Sequence, residues 1–132
     1  VEASFLLEYV GKLKNAYIDR DELNMIFAAR SIAEICYAIL RPFNPVWKYA
    51  SERETYQAFV ELKQKPRHYV EDFKMCYGLT MKKRSIEGIY NSAMRLARET
   101  TNFLRENAVE ARVKDKEFLK FLKSKDYVDF LK

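Results

Sequence analysis

The chain has 132 residues, a hydrophobic share of 48%, a charged share of 33% and a formal net charge of +5. That is enough apolar material for one ordered domain with a real core, and too much for a disordered chain. Three glycines and three prolines are too few for a fold made of many tight turns, which excludes most all-β architectures.

The apolar residues Phe5, Leu6, Tyr9, Val10, Leu13, Ala16 and Tyr17 recur at helical spacing, so the pattern predicts an amphipathic helix over Ala3–Ile18. Asp19 or Asp21 can cap a second helix running to about Arg41. Pro42 ends it, because the residue before a proline avoids the α region. Ser51-Glu52-Arg53-Glu54 has the form of a capping box and predicts a helix to about Lys63. Pro66 suits the first turn of a helix over Arg67–Tyr77, and Gly78 is placed to end it in the left-handed conformation. Met81–Asn107 is the longest helical pattern, marked by Ile86, Ile89, Tyr90, Ala93, Leu96, Ala97, Thr100, Phe103 and Leu104. Gly88 within it is either a weak point or a point of close packing. Asp115 opens a basic amphipathic segment with Phe118, Leu119, Phe121 and Leu122, and Ser124 restarts a short last helix with Tyr127, Val128, Phe130 and Leu131. No segment reads as a strand. The expectation is an all-α, single-domain, compact antiparallel up-and-down bundle of five to seven helices over residues 1–132.

Met25–Lys48 is the most informative stretch. It is apolar almost all round, yet carries Arg30, Glu34, Tyr37 and Arg41, which fall within about 60° of arc at about 100° per residue. Two readings fit. One is a cleft wall, with two guanidinium groups for an anionic ligand and Glu34 as orienting group or base. The other is a partly buried Arg30–Glu34 ion pair facing another helix or a second subunit, the commoner use of such groups. The turn Arg41-Pro42-Phe43-Asn44-Pro45-Val46-Trp47-Lys48 is a proline-fixed corner. It can tuck Phe43 and Trp47 into the core, or offer Arg, Asn, Trp and Lys to a planar or phosphorylated ligand.

Other motifs argue mostly for ordinary structure. His68 is the only histidine, and His68, Glu71 and Asp72 have metal-like spacing without the ligand count of a metal site. Asp19-Arg20-Asp21 has the form of a magnesium pair but lies between helices, where capping explains it. No phosphate-cradling glycine loop, Gly-x-Ser-x-Gly elbow or Cys-His pair occurs, so no complete catalytic motif and no cofactor is expected. The clusters Lys63/Lys65/Arg67, Lys82/Lys83/Arg84 and Lys114–Lys125 permit weak nucleic-acid binding, but interspersed acids favour a solvated face. Cys36 and Cys76 lie in apolar patterns and read as core residues in a reducing, cytoplasmic setting. No uncharged apolar run of about 18 residues exists, so no membrane association is expected, and no signal peptide is visible. A start at Val1 without Met fits removal of an initiator or excision from a longer protein.

Phe27–Lys48, running into Ile39-Leu40-Arg41-Pro42-Phe43-Asn44-Pro45-Val46-Trp47-Lys48, resembles a segment of the helical substrate-binding domains of nucleotidyltransferases. These are similar to the kanamycin nucleotidyltransferase C-terminal domain and the wider HEPN group. Leu40, Arg41, Pro45 and Lys48 occupy the motif positions, and Pro66 and the Glu87–Glu106 helix fit the layout, over Phe5–Asn107. The resemblance implies a bundle of four to five helices that positions an acceptor through Arg30, Glu34, Tyr37, Arg41 and Lys48. It also implies a partner nucleotidyltransferase domain or chain that holds nucleotide and magnesium. The chain lacks the Gly-Ser and paired aspartates of that catalytic domain. It also lacks the Arg-then-His spacing of HEPN ribonucleases, since Arg67 directly precedes His68. The alternative expectation is a stand-alone interaction protein that forms a homodimer or other homo-oligomer through the second helix or its aromatic corner.

Overall fold

The computed structural model describes residues 2–44, 57, 60–81, 83–107, 120 and 124–132. The five α-helices among them are α1 (Glu2–Ile18), α2 (Glu22–Leu40), α3 (Tyr69–Tyr77), α4 (Ile86–Glu106) and α5 (Lys125–Phe130), with a one-turn 3-10 helix at Arg41–Phe43. No strand occurs among the described residues, and the protein is an all-α bundle. The predicted capping box at Ser51–Glu54, the segment Val109–Lys123 apart from Lys120, and Pro45–Lys48 lie outside the described residues.

Helix α2 is the centre of the bundle and packs on α1, α3 and α4. Its buried residues are Met25, Ala28, Ala29, Ile32, Ala33, Cys36, Ile39 and Leu40. Small alanines on that face let neighbouring helices approach, and the larger Met, Ile and Leu side chains interdigitate with them. Among the described residues, Glu22–Phe43 is apolar and long enough to cross a membrane by length and composition. Here that apolarity is spent on three helical neighbours. Helix α1 supplies Leu6, Val10 and Leu13, each fully buried, whereas Phe5 at its start is 49% exposed.

The helix ends follow local chemistry. The Asp21 carboxylate accepts from the Asn24 backbone N–H at 3.1 Å and caps α2, so the Asp-x-Asp motif serves capping. Arg20 beside it has φ 55°, an uncommon left-handed conformation for a side chain of this size. Backbone bonds close the turn, Arg20 N–H on the Tyr17 carbonyl at 3.2 Å and Asp21 N–H on the Ala16 carbonyl at 2.9 Å, while the Arg20 guanidinium reaches Glu87 at 2.8 Å and lies 4.8 Å from the Tyr17 ring. Tyr17 in turn stacks on Tyr90, with centroids 4.0 Å apart.

Two helix starts differ from the sequence-based expectation. Helix α3 begins at Tyr69, because Pro66–His68 form a turn closed by the Tyr69 N–H on the Pro66 carbonyl. Helix α4 begins at Ile86 rather than Met81, because Ser85 is an extended cap whose hydroxyl accepts from Gly88 N–H at 3.0 Å. A Cβ at Gly88 would lie 3.1 Å from that hydroxyl, so this glycine is a close-packing point. Ser124 caps α5 as expected, and Tyr127 and Leu131 bury there. Lys14 donates to the Phe130 carbonyl and Arg98 to the Leu131 carbonyl, which docks α5 across α1 and α4.

Gly78 ends α3 with φ 82°, and the Arg84 guanidinium closes over the same turn by donating to the Met75 carbonyl at 3.1 Å. An added Cβ at Gly78 would meet Arg84 Nη1 at 3.1 Å. Gly78→Ala is therefore expected to cost about 1–2 kcal/mol, read as a lower denaturation midpoint with an unchanged slope. Cys36 and Cys76 are free and fully buried. Burial pushes the Cys36 thiol up to about 12 and raises Cys76 as well. Both thiols should stay silent towards a thiol reagent at pH 8 in the native protein and titrate together once it is unfolded.

Candidate functional site

The most exposed face of α2 carries Arg30, Glu34 and Arg41, all exposed, with Tyr37 half-buried beside them. These four residues share one face, as the helical spacing predicts. The face looks towards solvent, so its charges need no buried pairing. Among the described residues no ion pair joins Arg30 to Glu34, although they lie one turn apart. Both turn instead to Tyr77 at the end of α3. The Arg30 guanidinium lies 4.7 Å above the Tyr77 ring, and Glu34 accepts from the Tyr77 hydroxyl at 3.0 Å. Lys48, the fifth candidate, lies outside the described residues.

Tyr77 belongs to an aromatic ladder on α3. It stacks on Phe73 at 5.2 Å, and Phe73 packs on Tyr69 at 5.5 Å. The ladder runs at four-residue spacing, so it was readable as one helical face. Its meeting with the α2 stripe was not, because that depends on how α3 lies across α2.

The corner after α2 is a structural joint in its described part. Phe43 meets Phe103 edge to face at 5.1 Å. The Asn44 side chain donates to the carbonyls of Leu40 and Gln64 and accepts from Gln64 N–H, at 2.8–3.0 Å. Arg41 leaves this joint on the exposed side, in line with Arg30 and Glu34.

A second polar system lies on the α3–α4 seam. Asp72 is fully buried among Tyr69, Phe73 and Cys76. Arg95 of α4 clamps it with two bonds of 2.7 and 2.8 Å, and Glu71 lies 3.6 Å from the same guanidinium. Burial pushes the Asp72 carboxyl up and the Arg95 bonds oppose that shift, while Asp72 keeps Arg95 more firmly protonated. His68 Nδ1 lies 2.6 Å from Glu99, so the single histidine is a satisfied boundary group. Among the described residues no group of three or more His, Cys, Asp or Glu side chains could hold a metal ion. Asp72 occupies a core position of the pattern 69, 72, 73 and 76. That polar residue at an apolar position was the available signal for this pair.

Two open grooves flank these features. One, of about 510 Å³ between α1 and α2, is walled by Tyr9, Lys12, Asn15, Asp19, Asn24 and Phe27. The other, of about 460 Å³, runs beside α4 past Tyr90, Ser92, Arg95, Arg98 and Lys132. Neither of these two includes Arg30, Glu34, Tyr37 or Arg41, which stand on the exposed side of α2.

A family model described as the nucleotidyltransferase substrate-binding domain matches residues 2–106. The chain belongs to that family. The match begins with the first residue of α1 and ends with the last of α4, so the family unit is the bundle built around α2, and α5 lies beyond it. No curated protein matches the chain.

The Asp72–Arg95 clamp yields a directional expectation for this substrate-binding domain. Arg95→Met strands a fully buried carboxyl and should cost roughly 3 kcal/mol, whereas Asp72→Asn leaves Arg95 in reach of Glu71 and water and should cost about 1 kcal/mol. In Arg95→Met the folded Asp72 has a raised pKa, so its stability share is present at acid pH and lost as pH rises through that pKa. The penalty should therefore be smaller at pH 4 than at pH 7 in urea unfolding.

Proposed function

We propose that this domain holds the acceptor for a nucleotidyltransferase catalytic module supplied by the same polypeptide or by a separate chain. The carrying observation is the family match over the α1–α4 bundle.

In this reading the exposed α2 face is the acceptor-facing surface. Arg30 and Arg41 present cations, with the fork geometry that suits carboxylate or phosphate groups. Glu34, oriented by the Tyr77 hydroxyl, accepts from an acceptor hydroxyl or amine. Tyr37 supplies an aromatic ring, and Lys48 adds a cation past the corner. In this reading the acceptor lies between this exposed face and a second surface laid against it. The catalytic module brings nucleotide and magnesium, and the chemistry happens on its residues.

Translation of the DNA upstream of this segment and of the adjacent genes should reveal a Gly-Ser … Asp-x-Asp domain. Its absence from both places would sink the proposal. With that module reconstituted, Arg41→Ala should lower kcat/KM for the acceptor about tenfold or more while leaving nucleotide affinity unchanged.

A further inference from the structure

Gly88, Asn91, Ser92, Arg95 and Arg98 fall within about 120° of arc on α4, on the side opposite the buried Ala93 and Ala97. This polar face is the floor of the groove of about 460 Å³, a volume within the range of small-molecule sites. From Gly88 to Arg98 the floor is about 15 Å long. Met75 and Tyr90 give the groove an apolar flank, and Lys132, just past α5, lines it as well. No aspartate or glutamate is among its lining residues.

The three cations differ in what they have left to offer. Arg95 spends Nε and Nη2 on the buried Asp72. Lys132 meets Asp129 at 3.2 Å, but both side chains are exposed and such a contact exchanges easily. Arg98 is half-buried and donates from Nη1 to the Leu131 carbonyl at 3.1 Å. That bond uses one of its five N–H donors, and among the described residues no carboxylate forms an ion pair with it. A half-buried guanidinium without a carboxylate is a costly arrangement that an anion relieves. The Leu131 bond also fixes the guanidinium beside Lys132, so a fork from α4 and an ammonium past α5 stand at one end of the groove. A planar carboxylate is used up by the fork. A phosphoryl group has three acceptor oxygens at tetrahedral angles and can meet both cations at once.

We propose that this groove binds a small phosphate monoester, its phosphoryl group between Arg98 and Lys132 and its body against Tyr90 and Met75. Asn91 and Ser92 offer an amide and a hydroxyl to polar groups on that body. The family match ends at residue 106, so Leu131 and Lys132 lie outside it, and the docking of α5 on α4 completes the site. None of its residues belongs to the α2 face assigned to the acceptor, and either assignment can fail without the other.

Titration of the full chain with phenyl phosphate, inorganic phosphate and phenol, followed by backbone amide NMR shifts, tests the proposal. Phenyl phosphate should give saturable shifts gathered on Asn91–Arg98 and Lys132. Inorganic phosphate should move the same amides with a Kd at least about tenfold higher, because it lacks a body to set against Tyr90 and Met75. Phenol should move none of them. Arg98→Met should raise the Kd for phenyl phosphate at least about tenfold. That variant also loses the Leu131 bond, so Lys132→Ala serves as the second test. It alters an exposed side chain and should raise the Kd about threefold with the amide spectrum of α5 otherwise preserved. Absence of saturable shifts at millimolar phenyl phosphate overturns the proposal. So do shifts that gather around Arg30 and Arg41, equal affinity for the two phosphates, or a Kd that neither variant changes.

Discussion

Burial of one helix on three sides is the constraint from which the rest of this molecule follows. Helix α2 is too apolar to lie on a surface, and α1, α3 and α4 exist in register with it to cover Ile32, Ala33, Cys36 and their neighbours. A helix covered on three sides keeps one face, and every charged residue of α2 after its first turn lies on that face. The exposed charged stripe of α2 is thus the remainder of a packing problem. The corner at Arg41–Asn44 completes it. Pro42 ends the helix, Phe43 anchors on Phe103, and Asn44 bonds the segment at Gln64 back to the helix end.

The core is not purely apolar, and its polar groups are handled one by one. Asp72 is met by the Arg95 fork. The Thr101 hydroxyl donates to the Ala97 carbonyl at 2.8 Å and lies 3.3 Å from the Tyr127 hydroxyl, tying α5 to α4 through the interior. A buried carboxylate with a directional fork makes poor glue compared with well-packed leucine, but it tolerates only one rotation of α3 against α4. Such a rotation decides where Tyr77 emerges, and hence what Arg30 and Glu34 meet.

Most of the architecture was legible in the sequence because helical periodicity is a local signal. Leu6, Val10 and Leu13, or Ile89, Ala93, Leu96 and Leu104, announce their buried faces by spacing alone. Helix starts were less legible. Ser85 caps α4 through Gly88, and its claim outweighs the apolar residues around Met81 that continue the pattern without joining the helix. The grouping of Arg30, Glu34, Tyr37 and Arg41 was legible for the same periodic reason. Their surroundings were not, since Tyr77 lies more than thirty positions away and meets them only through tertiary packing. Their low burial was also hidden. A sequence shows that a helix is apolar on most faces, but not which face the neighbours leave open. The Asp72–Arg95 clamp was visible only as a polar residue at a core position.

The turn at Arg20 has a consequence for the order in which the chain assembles. Helices α1 and α2 are adjacent in sequence, and their contacts are local enough to form early. Yet the residue that joins them sits in a conformation it does not favour. Backbone bonds hold it there: Arg20 N–H donates to the Tyr17 carbonyl at 3.2 Å and Asp21 N–H to the Ala16 carbonyl at 2.9 Å. Every group that closes the turn lies within six residues of sequence, so the α1–α2 hairpin carries its own angle without help from α4. The exposed Arg20–Glu87 pair is a tether added on the surface, worth little beside those bonds.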